Sequence, residues 1–187
     1  MILSDRSIRG ALLTGEINVE PSVSDADIRP NGIRVHLSDR LLIPPLDEVV
    51  DPTAQSELAF REQDISRQPF VIERGAFVLG ATKEAVRLSR TLTCHIDGRS
   101  TLARLGLMVH CSSSAFDNVH DETRTPTLEL INLGPFKLIL RHNMAIAMLQ
   151  FTRLTSEIEQ PSQAQYRGQS GPQGPNLKFK IGDRDEQ

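Results

Sequence analysis

The sequence predicts an all-β fold, a sandwich or barrel, on three observations. Short apolar runs alternate with polar residues, Gly, Pro, Asn or Asp clusters separate them, and the helical pattern of the first segment gives way to such runs from Ile17 onward. At 187 residues and roughly 100–200 residues per domain, the chain is expected to be a single domain, 1–187, with a sizeable core.

The helical segment comes first. Ser4 or Asp5 can cap it, Ile8, Leu12 and Leu13 supply its apolar stripe, and Gly15 can end it. From Ile17 the pattern turns to β. Ile33 to Leu37 alternates strictly behind the turn Pro30-Asn31-Gly32, and Gly75 to Leu79 follows the turn at Glu73-Arg74. Further strands are expected at Thr91 to Ile96, Leu107 to Cys111, Thr127 to Ile131, Lys137 to Leu140 and Ala145 to Leu154. Asp47 to Gln68 reads as a long polar loop with a helical turn around Ser56 to Arg61. The end of the chain, 161–187, is expected to be a mobile tail. From Pro161 to Pro175 it is rich in Gln, Gly, Pro and Ser and has nothing to bury, so a ligand or neighbouring subunit would have to order it.

Composition excludes several function classes. The 21 basic and 24 acidic residues leave a net charge of −3, which is no footprint for nucleic acid. Aromatics make up 4% with no Trp, too few for a platform that stacks single-stranded bases. No apolar run approaches the ~18 residues of a membrane span, and Met1-Ile2-Leu3 leads straight into Ser4-Asp5-Arg6, unlike a signal peptide. Cys94 and Cys111 form neither a disulfide framework nor a CxxC clip, so a cytoplasmic location is expected. His36, His95, His110, His120 and His142 lack metal-ligand spacing, and His120-Asp121-Glu122 would hold a cation only loosely.

Three features carry chemistry. Asp97 to Leu107, DGRSTLARLGL, sets Arg99 and Arg104 beside Ser100 and Thr101 after a glycine; guanidinium forks, hydroxyls and backbone N–H groups suit phosphate oxygens. The same pattern also fits a turn with an amphipathic helical stretch. Glu129 alternates with Leu128 and Leu130, so its carboxylate faces away from them. If that face is enclosed, the group is suited to moving protons; if not, it is an ordinary exposed glutamate. Cys111-Ser112-Ser113-Ser114 ends a strand in small residues that let a ring approach the backbone, and equally reads as a solvated turn.

The segment Asp97 to Leu107 resembles the signature of dCTP deaminases, relatives of the trimeric dUTPases. The likeness runs on through Leu3 to Ile8, Ile28 to Leu37, Phe77 to Gly80, Leu128-Glu129, Met144 to Phe151 and Gln165 to Pro172. It implies a distorted jelly roll of the dUTPase-like type that assembles as a homotrimer with sites between subunits. It also implies zinc-independent hydrolysis of dCTP at C4, yielding dUTP and ammonia. By position Glu129 would be the general base, with Ser100 and Arg104 beside it as catalytic residues. Arg99 and Thr101 would join Ser100 on the phosphates, Ser112 and Ser113 would line the pyrimidine pocket, and Tyr166 and Gln169 would close over the triphosphate. Mg²⁺ would travel with the nucleotide.

The resemblance leaves two other readings. Asp117 would serve a dUMP-forming deaminase or a dUTPase, and a nucleotide-binding regulatory homologue would hold triphosphate without turnover. The sequence departs from the pattern at Asn118 to Pro126, a longer stretch lacking the usual Gly-aromatic-x-Gly turn. It also departs at Arg34, where an acid is usual, and at Gln165, where a Lys is frequent.

Overall fold

A computed structural model describes residues 1–54, 57–116, 120, 122–159, 166 and 168–177, and among these residues fourteen short strands and two α-helices carry the chain. Helix α1 spans Asp5–Thr14 and stops where Gly15 takes φ 75°, a left-handed conformation that suits glycine. Ile8 and Ala11 are buried and Leu12 packs at the core's edge, but Leu13 is 89% exposed. The expected stripe is therefore corrected: at 3.6 residues per turn, Leu13 sits roughly 140° around the helix from Ile8.

The strands are β1 (Ile17–Glu20), β2 (Ile28–Arg29), β3 (Gly32–His36), β4 (Arg40–Ile43), β5 (Arg61–Asp64), β6 (Phe70–Ile72) and β7 (Phe77–Ala81). They continue as β8 (Ala85–Leu88), β9 (Leu92–Gly98), β10 (Leu107–Met108), β11 (Ala115–Phe116), β12 (Thr127–Asn132), β13 (Leu138–Leu140) and β14 (Ala145–Arg153), with α2 (Ser100–Arg104) between β9 and β10. Two five-stranded antiparallel sheets dominate, in the orders β10-β12-β7-β4-β5 and β11-β9-β14-β3-β2; β1-β8 and β13-β6 are two-stranded. The inner faces of both large sheets feed one apolar cluster. It includes Leu41, Val78, Leu128 and Leu130 from the first and Ile33, Val35, Ile96, Leu149 and Phe151 from the second. A register shift between Ala145 and Ala147 lets Ile146 and Ala147 both face inward, which simple alternation forbids.

Some expected elements change for local reasons. The strand expected from Gly75 begins at Phe77, because Gly75 takes φ 75° in the turn. The helical turn expected around Ser56 to Arg61 is not found among the described residues there, and Arg61–Asp64 is a strand instead. It is an edge strand pairing Ile43 with Arg61 through Arg40 with Asp64, and its charged face meets water, so apolar alternation never marked it.

Candidate active site

β12 builds one wall of a cavity. Leu128 and Leu130 point into the core, which turns Thr127 and Glu129 to the opposite face. β7 lies beside it with Leu79 opposite Glu129 and Phe77 opposite Ile131. The cavity here measures about 650 Å³ and is lined by Phe77, Leu79, Ile96, Phe116, Thr127, Glu129 and the stretch Cys111-Ser112-Ser113, with Leu58 and Phe60 across from them.

On its other side β12 meets β10, whose ladder ends after Met108 pairs with Ile131. The sequence pattern ran this strand to Cys111; instead Glu129 N–H donates to Val109 O at 3.0 Å and the chain peels away. That leaves the Cys111 N–H without a strand partner, and it donates to Glu129 Oε2 at 2.7 Å. The bond fixes where the carboxylate points while leaving its second oxygen unengaged by Cys111. Partial burial, with the Glu129 charge next to it, pushes the Cys111 thiol above its usual range, so this cysteine is a poor nucleophile.

The described part of the tail lies along the same cavity. Tyr166, Gln169, Gln173 and Pro175 line it, together with Arg124. Gln169 donates to Thr127 Oγ1 and, at 3.1 Å, to Gly171 O; Gln173 N–H reaches Thr127 Oγ1 at 3.4 Å. Hydrogen bonds hold the described part of this segment where apolar burial does not.

Arg99, Ser100 and Thr101 line a different cavity of about 360 Å³, with Arg29, Asn31, Arg34 and Gln150. Arg99 also donates to Ala145 O at 3.0 Å, tying the start of α2 to β14. Arg104, exposed at the end of α2, lines neither cavity. Gly106 and Gly134 cross back to back just beyond; a methyl on either would collide with backbone at the other crossing, so this contact fixes α2 against the end of β12. One chain thus brings Glu129, Ser112, Ser113, Tyr166 and Gln169 together and holds Arg99, Ser100, Thr101 and Arg104 away from them. Asp117 and Gln165 lie outside the described residues.

The unusual cation on β3 has its own counter-charge. Arg34 Nε donates to Asp27 Oδ1 at 2.7 Å and Nη2 to Ala26 O at 2.7 Å. His36 sits 2.8 Å from buried Glu84 through Nδ1, and its backbone N–H donates to the same carboxylate at 2.8 Å. Burial works to raise the Asp27 carboxyl, but hydrogen bonds from Ser24 and Arg34 and the nearby charges of His36 and Arg34 outweigh it and hold the group below its ordinary value.

Sequence reasoning missed Thr127, Arg124, Gln173, Leu58 and Phe60 as cavity residues. Thr127 was within reach, since it lies two positions before Glu129 on a period-two strand. Leu58 and Phe60 had no such signal, because they stand in a polar stretch without alternation.

Known proteins are similar to this chain along nearly all its length. A dCTP deaminase of Natronomonas pharaonis is 35% identical over 204 residues, covering 99% of this chain and 97% of the relative. A protein of Beutenbergia cavernae named dCTP deaminase, dUMP-forming, is 34% identical over 180 residues, covering 92% of each. The crystal structure of 2'-deoxycytidine 5'-triphosphate deaminase from Agrobacterium tumefaciens shares the fold, with a TM-score of 0.62 at 16% identity over 80% of this chain and 47% of that one. The dCTP deaminase-like family pattern itself matches residues 2–154, and with full-length relatives at this level of identity, the chain belongs to that family.

Proposed function

We propose that this protein is an enzyme that deaminates dCTP at C4, releasing dUTP and ammonia, with Glu129 as the proton-moving group. The observation that carries the reading is the Glu129 carboxylate, aimed by the Cys111 N–H into a largely apolar cavity beside Ser112 and Ser113. Its size suits a nucleoside, and its apolar lining is interrupted by polar groups from β12, the Ser112-Ser113 stretch and the tail.

The chemistry follows from that placement. Glu129 takes a proton from water as the oxygen bonds to C4, and the ring nitrogen N3 receives it. Collapse of the tetrahedral intermediate breaks the C4–N bond; the amine leaves as ammonia with protons relayed through the same carboxylate, and the ring keeps the carbonyl of uracil. Backbone and hydroxyls at Ser112 and Ser113 would hold the base edge, and Tyr166 and Gln169, which line the same cavity, would close over the triphosphate.

The phosphates need cations, and this cavity has none from α2. Arg99, Ser100 and Thr101 form a separate anion-suited surface, and Arg104 stands exposed beyond it. A homotrimer in which α2 of one subunit faces the Glu129 cavity of the next completes the site, setting Arg104 and Ser100 by the carboxylate and Arg99 and Thr101 on the triphosphate. Among the described residues, no three His, Cys, Asp or Glu side chains gather into a cation site. Mg²⁺ would travel with the nucleotide, on the triphosphate's own oxygens.

Incubation with dCTP and Mg²⁺ tests the reading by its products. Equal dUTP and ammonia support it. Release of dUMP and pyrophosphate from dCTP would instead match the activity named for the Beutenbergia cavernae relative. Binding of dCTP with no product would mark a regulatory homologue.

A further inference from the structure

Arg124 is 5% exposed, yet no residue in the proposed chemistry requires it. Its backbone is pinned to the body by a bridge to β8, with Arg124 N–H on Val86 O at 2.9 Å and Val86 N–H on Arg124 O at 2.7 Å. From that fixed point its side chain reaches the tail. Nη1 donates to the backbone carbonyl of Tyr166 at 3.1 Å, and Nη2 pairs with Glu122. Glu122 in turn accepts the backbone N–H of Gly168 at 3.1 Å. One ion pair thus grips the tail at two places, once by its carbonyl and once by its amide.

The grip continues along the tail. Gln169 O accepts the Thr125 N–H at 3.4 Å, and the Tyr166 hydroxyl accepts Asn176 N–H at 3.2 Å, closing the segment on itself. Gly174 lies against the ring of Phe60, where an added Cβ would come within 3.1 Å. Both ion-pair partners fall in 118–126, where the sequence departs from the pattern it otherwise resembles.

We propose that Glu122 and Arg124 are positioning residues, a latch that holds the C-terminal strap over the Glu129 cavity before any nucleotide arrives. The pair is well suited to the task. A buried guanidinium offers donors in a fixed fork, and the carboxylate beside it supplies the opposite polarity, so strap backbone of any sequence is held by both N–H and C=O. The nucleotide then gains access by opening the latch, and the strap returns to a seat already shaped for it. The latch stands on the strap alone; its effect on dCTP rests on the proposed activity.

The test uses the free, full-length protein. Tyr166 is the single tyrosine and there is no tryptophan, so ultraviolet-excited emission reports the strap directly. In the wild type, Tyr166 anisotropy should follow whole-protein tumbling and acrylamide should quench it weakly. In Glu122→Gln and Arg124→Gln, a fast local motion should appear and quenching should rise several-fold, while far-ultraviolet circular dichroism stays that of the folded protein. Glu122→Gln decides the matter if the buried Arg124→Gln does not fold. Unchanged anisotropy and quenching in a folded variant, or a wild-type Tyr166 already as mobile as the variants, would overturn the latch. A positive result with no dCTP turnover would keep the latch and remove the deaminase reading.

Discussion

Glu129→Gln keeps an acceptor oxygen for the Cys111 N–H, so the strand end and the cavity wall survive the change. What it removes is the group that takes and returns protons, whose loss costs about 10²–10⁴-fold in rate. Steady-state turnover should therefore fall by that factor, while calorimetry finds dCTP affinity nearly intact. Near-normal turnover would remove Glu129 from its role. Period-two alternation marked Glu129 as facing away from the core, but which side was enclosed depended on Cys111 and the tail, distant in sequence. At Arg34 the sequence showed an odd cation; only the fold supplied Asp27, through a three-residue turn, as its partner. The Asp27 carboxyl is held low when folded, so its contribution to stability is full above its unfolded value of 3.8 and is lost as pH falls through the folded value. Asp27→Asn should lower stability at neutral pH by no more than about 1 kcal/mol, because the pair is partly solvated. In urea titrations, the gap from wild type should narrow as pH falls below 3.8 and through the lower folded value; a gap that stays constant down the acid range would contradict the ion-pair account.

Among the elements, the tail separates binding from folding most cleanly. Its described residues touch the body through backbone carbonyls and N–H groups, Thr127 and the face of Phe60, and none is in the apolar core. A chain ending before Gln165 should unfold within a few degrees of the full protein in calorimetry yet lose dCTP turnover. A collapse of the melting temperature would mean the strap is part of the core. The tail's composition made its lack of core residues plain from the sequence. Its seat was not legible, because hydrogen bonds to backbone leave no side-chain pattern. The same limit hid β5, an edge strand whose charges face solvent, whereas β3, β9 and β12 declared themselves by burying alternate residues.

Across the whole molecule, a slightly acidic protein keeps its anion-suited surface local, on and around α2, apart from the Glu129 cavity. The motif at Asp97 to Leu107 was the most legible feature of the sequence, but its distance from Glu129 within one chain was not, since spacing along a chain does not reveal which cavity a short helix faces. The proposed assembly turns that separation into a requirement for a neighbour. Subunit mixing probes this directly. Glu129→Gln and Arg104→Ala should each be nearly inactive alone. When the two are refolded together in equal amounts, each site drawing Glu129 from one chain and Arg104 from the next, random assembly should restore about a quarter of wild-type activity. A mixture as inactive as its components would contradict a site completed between subunits.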